Sequence, residues 1–227
     1  MKKIHLMSTM ALITTLVGTS LQASAATTYP DALNAESPVT GEVTLPTTPP
    51  GIPPIDPESP EPPIDPEEGN PELGDGLSIL YVSPLDFGQT EFSTEAQTLL
   101  AEKLVDEDEN EFENRVTVTD LRADRDGWEL TVAQSSELMD GATLTMYPNA
   151  HAGTAAALGV TTASGQLLLS TDAATFATAD NETADAGIIS MGMGEVELNL
   201  PASAGAGEYS TTLNWTLTNG PVAPDLD

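Results

Sequence analysis

The segments "GWELTVAQ" (residues 127–134) and "TTLNWTLTNG" (residues 211–220) share the frame Trp-x-Leu-Thr. They contain Trp128 and Trp215, the only two tryptophans of the 227-residue chain. In both segments apolar side chains alternate with polar ones, which is the pattern of a β-strand with one buried face. Each tryptophan then lies on the same face as the leucine two positions later. The sequence therefore predicts two strands whose tryptophans point toward a hydrophobic core.

Four further segments alternate in the same way between turn residues. They are "LSILYVSPLDFG" (77–88), "NRVTVTDLR" (114–122), "GATLTMYP" (141–148) and "EVELNLP" (195–201). Short alternating strands separated by Gly, Asn and Asp are typical of β-sandwiches and barrels. The segment "AQTLLAEKLVDED" (96–108) is the one candidate for a helical turn, or it is a loop.

These patterns predict an all-β fold for residues 77–221, a length sufficient for one domain with its own core. We expect a single antiparallel β-sandwich of the Ig-like or Greek-key type. The strands of Trp128 and Trp215 are expected to be adjacent or to face each other across the core. Residues 222–227 form a short C-terminal tail in this division.

The first 25 residues predict a secretory signal peptide. Two lysines precede a short apolar run, and the small-residue site Ala23-Ser24-Ala25 follows it, so cleavage is expected after Ala25. No later segment is apolar enough to span a membrane, so we expect no membrane insertion after cleavage.

Residues 26–76 have the composition of a spacer. They hold 13 of the 18 prolines and 11 acidic residues, and "PPIDPE" occurs at 53–58 and again at 62–67. A segment of this kind buries too little apolar surface to offset its ordering entropy, and proline favours extended polyproline II. We predict a disordered, extended spacer that is dispensable for folding.

The charge excludes several classes of partner. After cleavage the chain keeps 4 basic residues against 36 acidic ones, a net charge of −32. Nucleic acid is not an expected partner because phosphate binding needs clustered Lys and Arg. An anionic membrane surface is not expected for the same reason. The chain has no cysteine, so its stability must come from a hydrophobic core rather than from disulfides.

No pattern of catalytic or metal-binding residues stands out. His151 is the only histidine after cleavage, which excludes a His cluster, and no Ser–His–Asp motif is recognisable. The acidic run at 106–114 has Glu111 where an EF-hand loop requires glycine, so we expect a solvated loop. We predict no catalytic residue, no metal and no cofactor, and therefore a protein that is not an enzyme.

Taken together, these motifs resemble the WxL domain, a C-terminal surface module of low-GC Gram-positive bacteria. "LSILYVSPLDFG" resembles the opening strand of that family, and "VTDLR" followed by "GWELTV" resembles its first WxL motif with the preceding Asp-x-Arg. "NWTLTNGP" resembles the second WxL motif, and the "ATTYP" start with an acidic Pro-rich spacer is also typical. The resemblance covers nearly all of residues 77–221.

The resemblance implies a secreted small WxL protein at the cell surface. It implies non-covalent attachment to the bacterial cell wall, with peptidoglycan as the ligand. It also implies assembly with companion cell-surface proteins, including a membrane-anchored one. Two functions stay open: a module that binds the wall itself, and a protein–protein interaction subunit that binds a companion protein rather than the wall.

The candidate binding residues belong to the motifs themselves. They are Trp128, Leu130, Trp215, Leu217, Asp120 and Arg122. Each tryptophan is either a core residue or a contact residue, since an indole can pack in a core and still expose an edge or its N–H. Asp120 and Arg122 form either a local ion pair that closes a turn or, with Arg115 and Arg125, a polar patch beside Trp128 that contacts a carboxylate or a sugar.

Overall fold

The computed structural model describes residues 28–31, 34–36, 51, 55, 69–70, 72, 74–105, 109–123, 126–180 and 185–220. The predicted signal peptide, most of the predicted spacer and the C-terminal tail lie outside these ranges. The chain divides into two units, residues 1–44 and residues 45–227. No helix within the described ranges is long and apolar enough to cross a membrane.

The first unit contains one pair of short strands. Strand β1 (Thr28–Asp31) pairs antiparallel with β2 (Asn34–Glu36). Both strands lie inside the predicted spacer. The disorder predicted for residues 26–76 stays a prediction, because most of those residues are outside the described part of the chain.

The described residues of the second unit form thirteen strands and one short 3-10 turn. The strands are β3 (Leu77–Val82), β4 (Gln97–Leu100), β5 (Leu104–Val105), β6 (Glu111–Phe112), β7 (Arg115–Asp120), β8 (Trp128–Gln134), β9 (Thr143–Met146), β10 (Val160–Thr162), β11 (Leu167–Leu169), β12 (Ala174–Ala179), β13 (Gly187–Gly192), β14 (Glu197–Leu200) and β15 (Leu213–Asn219). The 3-10 turn covers Ala156–Leu158. About 43% of the structure is strand and the sheets are antiparallel, which confirms the predicted all-β fold. The Ig-like or Greek-key type stays a prediction.

Three larger sheets and one hairpin organise the second unit. The motif sheet has the strand order β10-β12-β8-β15, and the second sheet has the order β11-β9-β14-β4. A three-stranded sheet has the order β13-β7-β3, and β5 pairs with β6. Side chains from the three larger sheets meet in one hydrophobic core. Because the chain has no cysteine, this hydrophobic core stabilises the fold without disulfides.

The two tryptophan strands are hydrogen-bonded neighbours, as predicted. Strand β15 pairs antiparallel with β8 over seven residue pairs, with Trp215 opposite Val132 and Asn219 opposite Trp128. Burial alternates along both strands, so each tryptophan and the leucine two positions later lie on the inner face. The period-two reading of both segments is therefore confirmed.

Strand β7 is buried on both faces. Val116 and Val118 are fully buried in the hydrophobic core. On the other face, the hydroxyls of Thr117 and Ser190 lie 2.8 Å apart. Those of Thr119 and Ser78 lie 3.0 Å apart. Threonine suits this position because its hydroxyl can pair with a neighbouring strand while its methyl group packs.

The predicted helical turn over residues 96–108 is wrong. Residues Gln97–Leu100 form β4, which pairs with β14 so that Leu99 lies opposite Leu198. Leu99 packs on the core, and the neighbouring Leu100 points outward with half of its surface exposed. Pairing with β14 and burial of alternate side chains override the local helical propensity of this segment.

Described residues of the predicted spacer contact the domain, among them Ile55 and Asn70. Ile55, from the first "PPIDPE" copy, is 4% exposed, and its carbonyl accepts a hydrogen bond of 2.5 Å from the Thr154 hydroxyl. The backbone N–H of Asn70 donates to the carbonyl of Leu80 at 2.7 Å, and its side-chain amide donates to the carbonyl of Ile79 at 3.0 Å. At these two points the segment before Leu77 is packed against the domain.

Candidate functional site

The first Trp-x-Leu motif is part of the core. Trp128 is 1% exposed and Leu130 is fully buried. Their strand, β8, has β12 on one side and β15 on the other, so it is an interior strand. A ring enclosed in this way offers no face to a ligand. Of the two readings of Trp128, the core reading holds.

The second Trp-x-Leu motif lies at a sheet edge. Among the described strands, β15 pairs with β8 alone. Trp215 and Leu217 are therefore only partly buried against the core. The Trp215 ring packs edge-to-face on Phe176, with centroids 5.1 Å apart and planes at 76°. This favourable aromatic geometry fixes the indole orientation and leaves part of the ring outside the core.

Asp120 and Arg122 form a clip between the two motif strands. Two nitrogens of Arg122 donate to the two carboxylate oxygens of Asp120, at 2.8 and 2.7 Å. Arg122 also donates to the carbonyl of Gly127 at 3.1 Å and to the side-chain oxygen of Asn219. Gly127 has φ 76°, a left-handed conformation that favours glycine just before Trp128. The clip therefore joins the start of β8 to the end of β15.

The alternative of a polar patch beside Trp128 stays a prediction for Arg125, but Arg115 is not part of such a patch. Arg115 is 1% exposed and lies at the opposite end of β7 from Asp120, while Arg125 is outside the described residues. The six candidate residues do not form one site. Trp128 and the Asp120–Arg122 pair lie near Asn219, at the end of β15. Trp215 lies four residues before Asn219 on the same strand.

Trp215 instead lines a groove of about 1030 Å³. The groove lies between β15 of the motif sheet and strands β4, β9 and β14 of the second sheet. Its apolar lining includes Leu85, Leu99, Leu144, Leu198, Leu213 and Trp215. Polar side chains line the groove as well, and a concave space that combines apolar and polar groups is the usual form of a ligand site.

Two loops carry aromatic rings to the groove, and the ends of β4 and β8 add the amides of Gln97 and Gln134. Phe92 is 66% exposed and Tyr209 is 43% exposed, and both line the groove. The Tyr209 hydroxyl donates to the Gly205 carbonyl at 2.8 Å, which holds the ring in place. Gln97 donates to the Thr90 hydroxyl at 3.0 Å, and Gln134 donates to the Leu169 carbonyl at 2.8 Å. Exposed rings and anchored amides together suit a ligand with both apolar and hydroxyl-bearing surfaces.

The sequence reasoning missed these loop residues. Phe92 is the only aromatic residue in the polar stretch "GQTEFSTEAQ", and Tyr209 follows the glycine-rich "AGAGE". A large ring in a polar or glycine-rich segment has no core-facing periodicity to explain it. An aromatic residue in such a segment therefore indicates a role at the surface.

The groove is acidic at its polar positions. Asp86, Glu91 and Glu208 line it, and none of the described Lys or Arg residues does. Within the described residues no group of three His, Asp or Glu side chains is arranged to hold a metal ion. Residues 106–108 of the acidic loop are outside that range.

Comparison with known families is consistent with this arrangement. A family model described as WxL domain, surface cell wall-binding, matches residues 31–221. Comparisons with curated proteins and with solved structures give no significant match. The matched region includes both Trp-x-Leu motifs, the Asp120–Arg122 clip and all strands of the second unit. It also begins within the predicted spacer. Because the match covers most of the chain, this protein belongs to the WxL family of surface cell wall-binding domains.

Proposed function

We propose that the mature chain attaches non-covalently to the bacterial cell wall by binding peptidoglycan in the groove beside Trp215. Membership of a surface cell wall-binding family supports the wall as the location. One observation carries the assignment to the groove: the second motif places its tryptophan at an open, aromatic-lined groove, while the first motif buries its tryptophan.

The groove chemistry suits a neutral part of the polymer. The exposed rings of Phe92 and Tyr209 offer apolar faces on which sugar rings can stack, as amphipathic aromatic side chains do at binding surfaces. Side-chain amides and backbone groups of the two loops supply hydrogen bonds to hydroxyl and acetamido groups. With no cation in the lining and three carboxylates, the groove does not attract the anionic groups of the wall.

Export belongs to the same proposal. A signal peptide cleaved after Ala25 would deliver the chain outside the cell. In this arrangement the protein is a non-catalytic component of a multi-protein surface complex. The family is a binding-domain family rather than a catalytic one.

A second candidate function is a protein–protein interaction subunit that binds a membrane-anchored companion protein. The edge position of β15 favours it, because an edge strand presents backbone groups that another chain can pair with. In this case the wall would hold the companion protein, and the present chain would be retained indirectly.

A sedimentation assay of residues 26–227 with purified, protein-free peptidoglycan tests the proposal. We expect retention of the wild type and loss of retention in Phe92→Ala and Tyr209→Ala. Leu168→Ala is the matched control, because Leu168 is 55% exposed and does not line the groove. Equal retention of all variants would contradict the groove assignment. A wild type that sediments only after a wall-protein extract is added would support the companion-protein function.

A further inference from the structure

We propose that the outer edge of β15 is a docking surface for an extended, basic segment of a partner protein, which adds to the motif sheet as a fifth strand. This deepens the second candidate function and rests on it, because it names how a partner protein would bind the edge of β15 and what chemistry that partner would have. The proposal rests on the backbone of β15, on its side chains and on the charges around it.

The hydrogen-bond pattern of β15 leaves one row of backbone groups facing away from β8. Ser135 donates to the Thr212 carbonyl at 2.8 Å and Gly220 donates to the Gly127 carbonyl at 3.3 Å, which marks the hydrogen-bonded pairs. Such pairs alternate along an antiparallel ladder. The even-numbered residues of β15 therefore bond β8. The backbone N–H and C=O groups of the odd-numbered residues Leu213, Trp215 and Leu217 point outward.

The edge of β15 lacks most of the usual protections against strand pairing, although its end at Leu217 and Asn219 lies beside β3. Proteins protect edge strands with charges, prolines, bulges or short length. Strand β15 is seven residues long, has no charged residue and no proline, and pairs with β8 without a bulge.

The other sheet edges in the described part of the chain differ from β15. Strand β3 has an irregular register and is bonded by Asn70, and β10 and β11 have three residues each. Strand β4 has four residues, and an isolated bridge joins Asn149 to the end of β13. By length and regular register, β15 is therefore the described edge best suited to pair with an added strand.

The side chains of β15 indicate what such a strand would carry. Leu213, Trp215 and Leu217 are half-buried, because the motif sheet ends at their strand. A strand added beside them would cover their exposed flanks with its own inward side chains. Recognition by strand addition takes affinity from main-chain bonds and specificity from alternate side chains. The partner segment should therefore have apolar residues at every second position.

The charges near β15 indicate a basic partner. Asp86, Glu91 and Glu208 line the groove next to Leu213 and Trp215. Glu72 and Asp75 line the recess next to Leu217 and Asn219, where the only cation of the lining, Arg122, is paired with Asp120. Complementary charge steers binding and suppresses wrong partners. A second copy of this chain, with its mature net charge of −32, is therefore excluded as the occupant.

Backbone amide protection provides the direct test. Residues 26–227 are mixed with a synthetic nine-residue peptide of alternating Lys and Val, and amide exchange is followed by NMR. We expect new protection at Leu213, Trp215 and Leu217, and no change at Asn214 and Thr216, whose amides already bond β8. A peptide of alternating Glu and Val is the matched control and should give no protection.

Two pairs of variants separate the backbone contribution from the side-chain and charge contributions. Leu213→Pro and Leu213→Ala both remove the leucine, but only proline removes the outward N–H. We expect the Lys/Val peptide to bind Leu213→Pro about three- to tenfold more weakly than Leu213→Ala, the effect of one hydrogen bond. If proline prevents folding, Glu208→Lys should still weaken binding, whereas Glu195→Lys, outside both recesses, should not.

Several outcomes would overturn the proposal. These are protection that does not alternate along β15, equal binding of the Glu/Val peptide, or equal affinity of the two Leu213 variants. Peptidoglycan fragments that give the same alternating protection would assign the edge to the wall polymer instead. Glu72→Lys keeps the two proposals apart, because Glu72 lines the recess beside Leu217 and does not line the groove. This variant should weaken peptide binding and leave sedimentation with peptidoglycan unchanged.

Discussion

The two Trp-x-Leu motifs have the same sequence frame and opposite environments. Trp128 lies on an interior strand and is 1% exposed, whereas Trp215 lies on the neighbouring edge strand and lines an open groove. Both indoles point inward with the same period-two geometry. The position of the strand within its sheet therefore decides whether the motif stabilises the core or forms a surface.

A division of roles follows from this difference. The first motif, with the Asp120–Arg122 clip, holds the motif sheet together and fixes where β15 ends. The second motif uses that support to present a partly exposed indole and an outward row of backbone groups. Under the proposed function the residues of the second motif would contact the ligand, and changing them should cost less stability than changing the residues that position them.

Replacing each tryptophan by alanine tests this comparison most strongly. Trp128→Ala should reduce the free energy of unfolding by about 3–5 kcal/mol, as expected for removal of a fully buried ring. Trp215→Ala should cost roughly 1–2 kcal/mol, because the ring is only half-buried and loses one aromatic contact. Urea denaturation measures both values.

Wall retention completes the test of the tryptophans. The Trp215 variant should stay folded and lose retention on peptidoglycan, while Trp215→Phe should keep part of it. If Trp215→Ala were as destabilised as Trp128→Ala, the second motif would also be a core element and the comparison would fail.

Removing the clip should give the next largest effect. In Arg122→Ala the Asp120 carboxylate, 4% exposed, loses its partner, and breaking a buried pair in this way costs about 3 kcal/mol. Amides near Asn219, at the end of β15, should lose protection before those of β12. A double variant, Asp120→Asn with Arg122→Met, should recover part of the stability. Unchanged stability in Arg122→Ala would show that the two motif strands do not depend on the clip.

The sequence predicts the strands in which apolar and polar side chains alternate, and it misses those within an Ala-, Thr- and Gly-rich region. Strands β3, β7, β8, β9, β14 and β15 follow from alternation. Strand β13, "GIISMG", is bounded by glycines and mostly buried, so it shows no clear period. Strand β12, "ATFATA", has small residues beside Phe176, and pairing with β8 rather than propensity makes it a strand.

The candidate site is only half predictable for a related reason. Alternation places Trp128 and Trp215 on inner faces, but a sheet's strand order is set by long-range pairing that a single sequence does not reveal. Interior and edge strands therefore have the same pattern. The sequence allows two interpretations of Asp120 and Arg122, a local ion pair or part of a binding patch. Their separation of two residues favours the ion pair. Phe92 and Tyr209 lie on irregular loops, where periodicity carries no information.

Truncating the N-terminal segment tests how far the supporting part of the molecule extends. The composition of residues 26–76 predicts no loss of stability on deletion, whereas the buried Ile55 predicts one. We expect a chain that starts at Leu77 to be about 2 kcal/mol less stable than one that starts at Leu45, from the loss of one buried aliphatic side chain and its hydrogen bonds. Ile55→Asp should reproduce most of the loss, and Ile64→Asp in the identical second "PPIDPE" copy is the matched control. Equal melting temperatures for all chains would restore the spacer interpretation.

The smallest expected effect is that of salt on wall binding, and it follows from where the cations are. Of the four basic residues after residue 25, Arg115 is buried, Arg122 is paired with Asp120, Lys103 lies 3.4 Å from Glu111, and Arg125 is outside the described residues. The groove beside Trp215 has three carboxylates and no cation in its lining. Long-range attraction to an anionic wall therefore cannot drive attachment, and the net electrostatic interaction is repulsive until salt screens it beyond about 8 Å at physiological ionic strength. Retention of residues 26–227 on peptidoglycan should stay constant or rise between low and moderate NaCl, while a cationic control protein is released. A steep loss with salt would mean that a cationic contact near the first motif, rather than the groove of the second, holds the wall.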